Sequence, residues 1–149
     1  MKKFFNFLGL SAVLFLTACA KTEMASSQQD AQAKKFDMPK NGLSGLYIYR
    51  DGSVFGAALK KDLYVDDKFI GESAPQVFFY KQVKAGDHKI STESEFSNNH
   101  LNIKTDSGKN YFIRQYIKMG VFVGGANLEQ VSEEKGQAAV QKLKMAKTQ

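Results

Sequence analysis

The chain has no tryptophan, a single cysteine and two prolines, and none of its apolar runs reaches the roughly 18 residues that a membrane-spanning helix requires. A lone cysteine can form no internal disulfide and serve in no multi-cysteine metal site. Without tryptophan the usual aromatic platform for a sugar ring is missing. The two histidines, His88 and His100, stand singly, and nothing has the spacing of three or four convergent zinc ligands. A Gly-x-Ser-x-Gly elbow and a phosphate-cradling Gly-Lys-Ser/Thr loop are also absent. What is present is the material of one ordinary folding domain: 149 residues, 43% of them hydrophobic and 12% aromatic. That content excludes disorder along the whole length.

The first residues carry an address. Lys2 and Lys3 precede thirteen residues, Phe4 to Leu16, that are apolar except for Asn6, Gly9 and Ser11. A short apolar stretch behind a cationic start, running into small residues, reads as a secretory signal peptide over residues 1–18. Leu16-Thr17-Ala18-Cys19 then resembles the lipobox of bacterial lipoproteins, in which the cysteine sulfur receives a diacylglycerol, the leader is cut away and the freed amine is acylated. This implies a covalent lipid on Cys19 and no other cofactor. Two or three acyl chains exceed what stable membrane attachment needs. By the same resemblance Ala20, where an aspartate marks retention in the inner membrane, points to the outer membrane, with the protein facing the periplasm. Cleavage removes two of the 21 basic residues and leaves 19 against 15 acidic, a formal charge of +4. Export and the lack of a basic cluster interleaved with aromatics exclude nucleic acid as a partner.

Residues 19–42 are dominated by Ala, Ser, Gln, Lys and Asp and read as the lipidated N-terminus followed by a flexible tether, with a reach of roughly 25 Å. From Leu43 the pattern becomes short, aromatic-rich and β-branched, with turn residues every eight to twelve positions, as in an antiparallel sandwich or barrel. The run Leu46-Tyr47-Ile48-Tyr49-Arg50 suits a central strand. Leu59 to Asp66 alternates cleanly, and Asp66-Asp67-Lys68 turns it into Phe69-Ile70. Further strands are expected over 77–83, 88–96, 101–105, 111–117, 121–123 and 127–131. Ser132 is a good helix N-cap with Glu133 and Glu134 behind it, and Ala139, Val140, Leu143 and Ala146 form one apolar stripe. The domain is therefore expected over 43–149, mainly β with a C-terminal helix.

The run 46–50, the hairpin Tyr64-Val65-Asp66-Asp67-Lys68 with Ile70-Gly71, the turn Ala85-Gly86-Asp87-His88 and Gly108-Lys109-Asn110-Tyr111 together resemble the bacterial lipoprotein family known as domain of unknown function 2846. More distantly they resemble the PEGA group of small β-sandwiches. Asp67 and Ala85 depart from the pattern, where Gly and Pro are usual. The resemblance implies an immunoglobulin- or transthyretin-like sandwich and carries no reaction with it.

Little in the sequence points to catalysis. Glu93 and Glu95 share one strand face about 7 Å apart, the separation at which a two-carboxylate hydrolase could work. Carboxylates at alternate positions of an exposed strand are otherwise ordinary, so an enzyme is not the expectation. Gly52-Ser53-Val54-Phe55-Gly56 and Gly120-Val121-Phe122-Val123-Gly124 are more suggestive. Glycines at both ends allow sharp turns, and the two Phe residues either plug the core, the favoured reading, or lie exposed as a patch for a partner or lipid. The expected function is a non-enzymatic envelope interaction module, contacting a protein or a cell-wall polymer, with Tyr47, Tyr49, Phe55, Tyr80, Tyr116 and Phe122 as candidate contacts. A carbohydrate- or peptidoglycan-binding module is the alternative.

Overall fold

The computed structural model describes residues 22–149; the expected signal peptide and Cys19 lie outside the described residues. The elements run α1 (Ser27–Ala33), β1 (Leu43–Arg50), β2 (Lys61–Val65), β3 (Lys68–Ser73), β4 (Val77–Lys84), β5 (Gly86–Thr92), β6 (Asn99–Thr105), β7 (Asn110–Lys118), β8 (Gly125–Val131), α2 (Glu133–Val140) and β9 (Lys144–Met145). The strands form two sheets, ordered β8-β7-β1-β4-β9 and β3-β2-β5-β6. β1 lies at the centre of the first sheet, antiparallel to β4 and parallel to β7. The protein is thus mainly β, with a helix near the C-terminus, as the sequence led us to expect.

β1 is buried along its length after Leu43, and its period-2 alternation divides the apolar residues of the molecule into two clusters. Leu46 and Ile48 face the second sheet and meet Leu63, Val65, Ile70, Ile90 and Ile103. Tyr47 and Tyr49 face the other way and pack with Phe78, Phe112, Ala33, Val140 and Leu143, beneath the helices. The two sheets are also joined by a buried polar contact. The Gln115 amide on β7 donates to Thr92 Oγ1 at 2.7 Å and accepts from the Ser73 hydroxyl. All three residues are buried, so each polar group needs the others.

Three expectations change. The segment read as a flexible tether is folded from Thr22 onward. Ser26 caps α1 with a reciprocal capping box to Gln29, Ala33 is buried, Phe36 packs on Tyr47 at 5.4 Å, and Met24 bridges Ala146. The expected strand at 121–123 leaves the sheet and forms an exposed loop. Finally, α2 starts at the expected Ser132 cap but ends at Val140. The rest of the apolar stripe still docks, since Leu143 and Ala146 are buried, yet it arrives through a turn and the short strand β9 beside β4.

The β2–β3 hairpin turns on Asp66 and Asp67, both with positive φ (51° and 63°), the conformation a two-residue turn of this kind requires. Asp66 is fixed from both sides. Its Oδ1 accepts the Lys89 N–H at 3.0 Å, and its Oδ2 lies 2.7 Å from His88 Nδ1, while His88 Nε2 lies 2.7 Å from the Lys84 carbonyl. Burial disfavours the charged imidazole, but acceptors at both ring nitrogens outweigh it and raise the His88 pKa. Burial likewise opposes the Asp66 carboxylate, and the Lys89 amide and His88 outweigh it and lower that pKa. A raised folded-state pKa contributes stability that is full below about 6.5, the unfolded value, and is lost as pH rises through the folded value. The stability difference between the native chain and His88→Gln should therefore be largest near pH 6 and shrink on going to pH 9. Urea unfolding at both pH values measures it, and a pH-independent difference would refute the staple.

Candidate functional site

At one end of the sandwich three loops gather, residues 51–60, 93–98 and 119–124. The first is set by Arg50, the last residue of β1. Its guanidinium is buried and donates to the carbonyls of Gly56 at 2.5 Å and Leu59 at 2.6 Å, curling the loop around a cation. Burial lowers the Arg50 pKa, and Asp51 opposes that shift. Asp51 in turn accepts from Arg114 Nε at 2.9 Å, and Arg114 also reaches Glu129 at 3.0 Å. Gly56 has φ +76°, and a Cβ there would stand 2.8 Å from Ile117. Gly124 is pressed equally closely, with Leu59 and Ile117 against it. The two glycine-bounded segments therefore meet in space over Leu59 and Ile117.

The 119–124 loop is latched by Glu95. Its carboxylate accepts three consecutive backbone N–H groups, from Val121 at 2.7 Å, from Phe122, and from Val123 at 3.2 Å. Successive amides converging on one point form an anion-binding concavity, and here the chain supplies its own anion. Desolvation works against the charge, but the three amides and Lys61 together lower the Glu95 pKa. With the backbone satisfied from below, the side chains of the loop point outward. Phe122 is 83% exposed, Met119 80%, Val121 75%, Phe96 75% and Val54 97%. Phe96 and Phe122 meet edge to face at 6.4 Å.

The candidate contact residues fall in four places. Phe55 and Phe122 belong to this exposed end, so the favoured reading of them as core plugs is corrected: among the described residues no strand pairs with either segment, and the hydrogen bonds to Arg50 and Glu95 hold both outside the sheets. Tyr47 and Tyr49, 1% and 2% exposed, are core residues and unavailable for contact. Tyr80 is half-buried on the outer face of the first sheet, its ring 4.6 Å from Tyr47, beside a cavity of about 330 Å³ bordered by Gln29, Gln32, Asp37 and Gln82. Tyr116 lies half-buried under the Arg114 guanidinium, 5.6 Å from the ring. Sequence reading missed Val54, Phe96 and Met119 as parts of the exposed end. Phe96 falls within the strand expected over 88–96, whereas β5 stops at Thr92.

The carboxylate pair has other employment. Glu93 Oε2 accepts the Asp62 N–H at 3.3 Å, and its other oxygen lies 3.8 Å from the buried Lys61 ammonium. A two-carboxylate hydrolase needs one carboxyl with a raised pKa as the acid, and that of Glu95 is shifted the opposite way. His100 is paired with Ser91 Oγ at 2.8 Å. Among the described residues no three His, Cys, Asp or Glu side chains are gathered as metal ligands would be. Glu95→Gln should release the loop without unfolding the domain. Amide exchange at 121–123 should accelerate by about an order of magnitude while the urea midpoint hardly moves. Unchanged exchange there would show that the latch does not hold the loop.

Comparison with known proteins places this architecture in a family. A family model described as "Protein of unknown function (DUF2846)" matches residues 40–126, which span β1 through β7 and all three loops of the exposed end. An uncharacterised protein of Haemophilus influenzae is 70% identical over 137 residues, covering 92% of this chain and 81% of that protein. No solved structure matches the chain. On the family match and this relative together, the chain belongs to the DUF2846 family.

Proposed function

We propose that this protein is a lipid-anchored component of the bacterial envelope that works by contact rather than by catalysis, with the three-loop end as its contact surface. The lipobox-like Leu16-Thr17-Ala18-Cys19 supports a diacylglycerol on the Cys19 sulfur and an acyl group on its amine, and Ala20 supports the outer membrane, on the periplasmic side. The observation that carries the reading is the exposed set around Phe122 and Phe96, presented on backbone that Glu95 and Arg50 hold in place. Apolar side chains clustered on a fixed loop cost solubility, and such patches mark interaction sites. The commitment of Glu93 and Glu95 to backbone amides and Lys61 supports a non-enzymatic role over a hydrolase. Within the β-sandwiches we favour the transthyretin-like arrangement. An immunoglobulin domain keeps its first two strands in one sheet, whereas β1 and β2 lie in opposite sheets here.

A photo-crosslinking residue placed at Phe122 in living cells should capture an envelope component, lipid or protein, that the same residue at Lys104 on β6 does not. Equal capture at the two sites would contradict the proposal. The second reading, a carbohydrate- or peptidoglycan-binding module, is favoured by the Tyr80 cavity, where an aromatic ring is bordered by three glutamines and Asp37. It requires retention of the protein on purified peptidoglycan that Tyr80→Ala and Gln82→Ala each reduce. Undiminished retention in both variants, or none in the native chain, would remove it.

A further inference from the structure

We propose that the surface covering the three-loop end is the same bilayer that carries the lipid on Cys19. The inference rests on the anchored reading above and deepens it by naming what the loops touch.

Chain length is the first argument. The folded domain begins at Thr22, whose hydroxyl donates to the Glu72 carbonyl at 3.0 Å. The next residues run beside the C-terminal segment, with the Lys147 N–H on the Glu23 carbonyl at 2.7 Å and Met24 bridging Ala146. Three residue steps separate Cys19 from Thr22, and an extended chain covers at most about 3.6 Å per residue. The acylated sulfur therefore belongs to a residue no more than about 11 Å from Thr22 along the backbone. Such a lead cannot let a folded domain stand clear of the membrane.

The second argument concerns which end is held there. Glu72 is the penultimate residue of β3 and pairs with Asp62 on β2, whose carbonyl accepts the Glu93 N–H at 2.9 Å. Thr22 thus sits three strand spacings, about 15 Å, from the start of the 93–98 loop. The Lys60 ammonium, at the close of the 51–60 loop, lies 3.4 Å from the Glu72 carboxylate. Thr22 is therefore bonded beside the end of β3 that lies toward the loops, and the opposite end, with the Asp66-Asp67 turn and the 106–109 loop, is a strand length away.

Chemistry is the third. Phe122, Phe96, Met119, Val121 and Val54 project aliphatic and aromatic groups, while the Glu95 carboxylate beneath them is spent on backbone amides. Lys118, exposed at the foot of the loop, adds a cation that phosphate headgroups would attract. An acyl anchor joined to inserted apolar side chains is the two-signal attachment that makes membrane binding lasting.

The test uses the full lipidated protein in vesicles of phosphatidylethanolamine and phosphatidylglycerol with brominated acyl chains. Because the Cys19 sulfur is consumed by lipid, a cysteine introduced elsewhere is the only thiol to label. An NBD fluorophore at Phe122→Cys or Phe96→Cys should be quenched by brominated relative to ordinary lipid at least about twofold, and one at Lys104→Cys should be unaffected. These are exposed positions, so the variants retain the fold. Quenching at 122 and 96 no greater than at 104 overturns the inference, including the outcome in which a second copy or a soluble protein shields the loops. The intact mass of the same sample separates the two failures. A lipidated chain with unquenched loops defeats this inference alone, and a chain without acyl groups defeats it together with the anchored reading.

Discussion

Strand β1 has no wet face, and much of the molecule follows from that. A strand buried on both sides must be covered on both sides. The second sheet covers Leu46 and Ile48, but the other face carries two tyrosines, which bring hydroxyls as well as rings into the dry interior. Tyr47 donates to the Ala33 carbonyl at 2.8 Å, and burial pushes its pKa up, keeping the phenol protonated. Phe36, Phe112 and Tyr80 crowd around its ring. The chain preceding β1 is thereby recruited into the domain. Each large side chain buried there contributes about 1.5–3 kcal/mol, whereas a seven-residue helix in isolation is not stable in water. α1 exists because it covers Tyr47.

That recruitment bears on the anchor we propose at Cys19. Had residues 19–42 remained a coil, the sandwich would have floated on a tether. With α1 docked, Lys34 bonded to the Leu143 carbonyl at 2.6 Å and Asp30 to the Met145 N–H at 2.7 Å, the N-terminal segment is part of the same body as the C-terminal one. The described domain accordingly begins at Thr22, bonded to β3. The exposed loops, held by Glu95 and Arg50, lie at the same end of the sheets as the Thr22–Glu72 contact. In the anchored reading we propose, packing around one strand sets which surface can meet the lipid.

Much of the β architecture was legible because its signals are local. The continuous apolar run of β1, the alternation of β2, the Asp66-Asp67 turn and the Ser132 cap each follow from side-chain chemistry within a few residues. The tether was misread because α1 buries one small residue, Ala33, and its polar Gln-rich sequence carries no apolar stripe; its stability comes from β1 and β9. β9 was hidden within a helical pattern that also suits a turn and a two-residue strand. The exposed end was half legible. Glycines bounding Phe55 and Phe122 marked both segments as special, but their exposure depends on Glu95 and Arg50, partners remote in sequence from the loops or buried beneath them. Tyr47 and Tyr49 show the converse: an aromatic residue on a strand resembles a contact residue until the opposite cover is known.

Neutron reflectometry of the lipidated protein on a supported bilayer tests the central claim most directly, because it reads the density profile along the membrane normal. A domain seated by its loop end on the headgroups gives a protein layer that starts at the bilayer surface, with no hydrated gap beneath it. A water-filled gap of roughly 25 Å, the reach of a flexible tether over the same residues, would contradict the account.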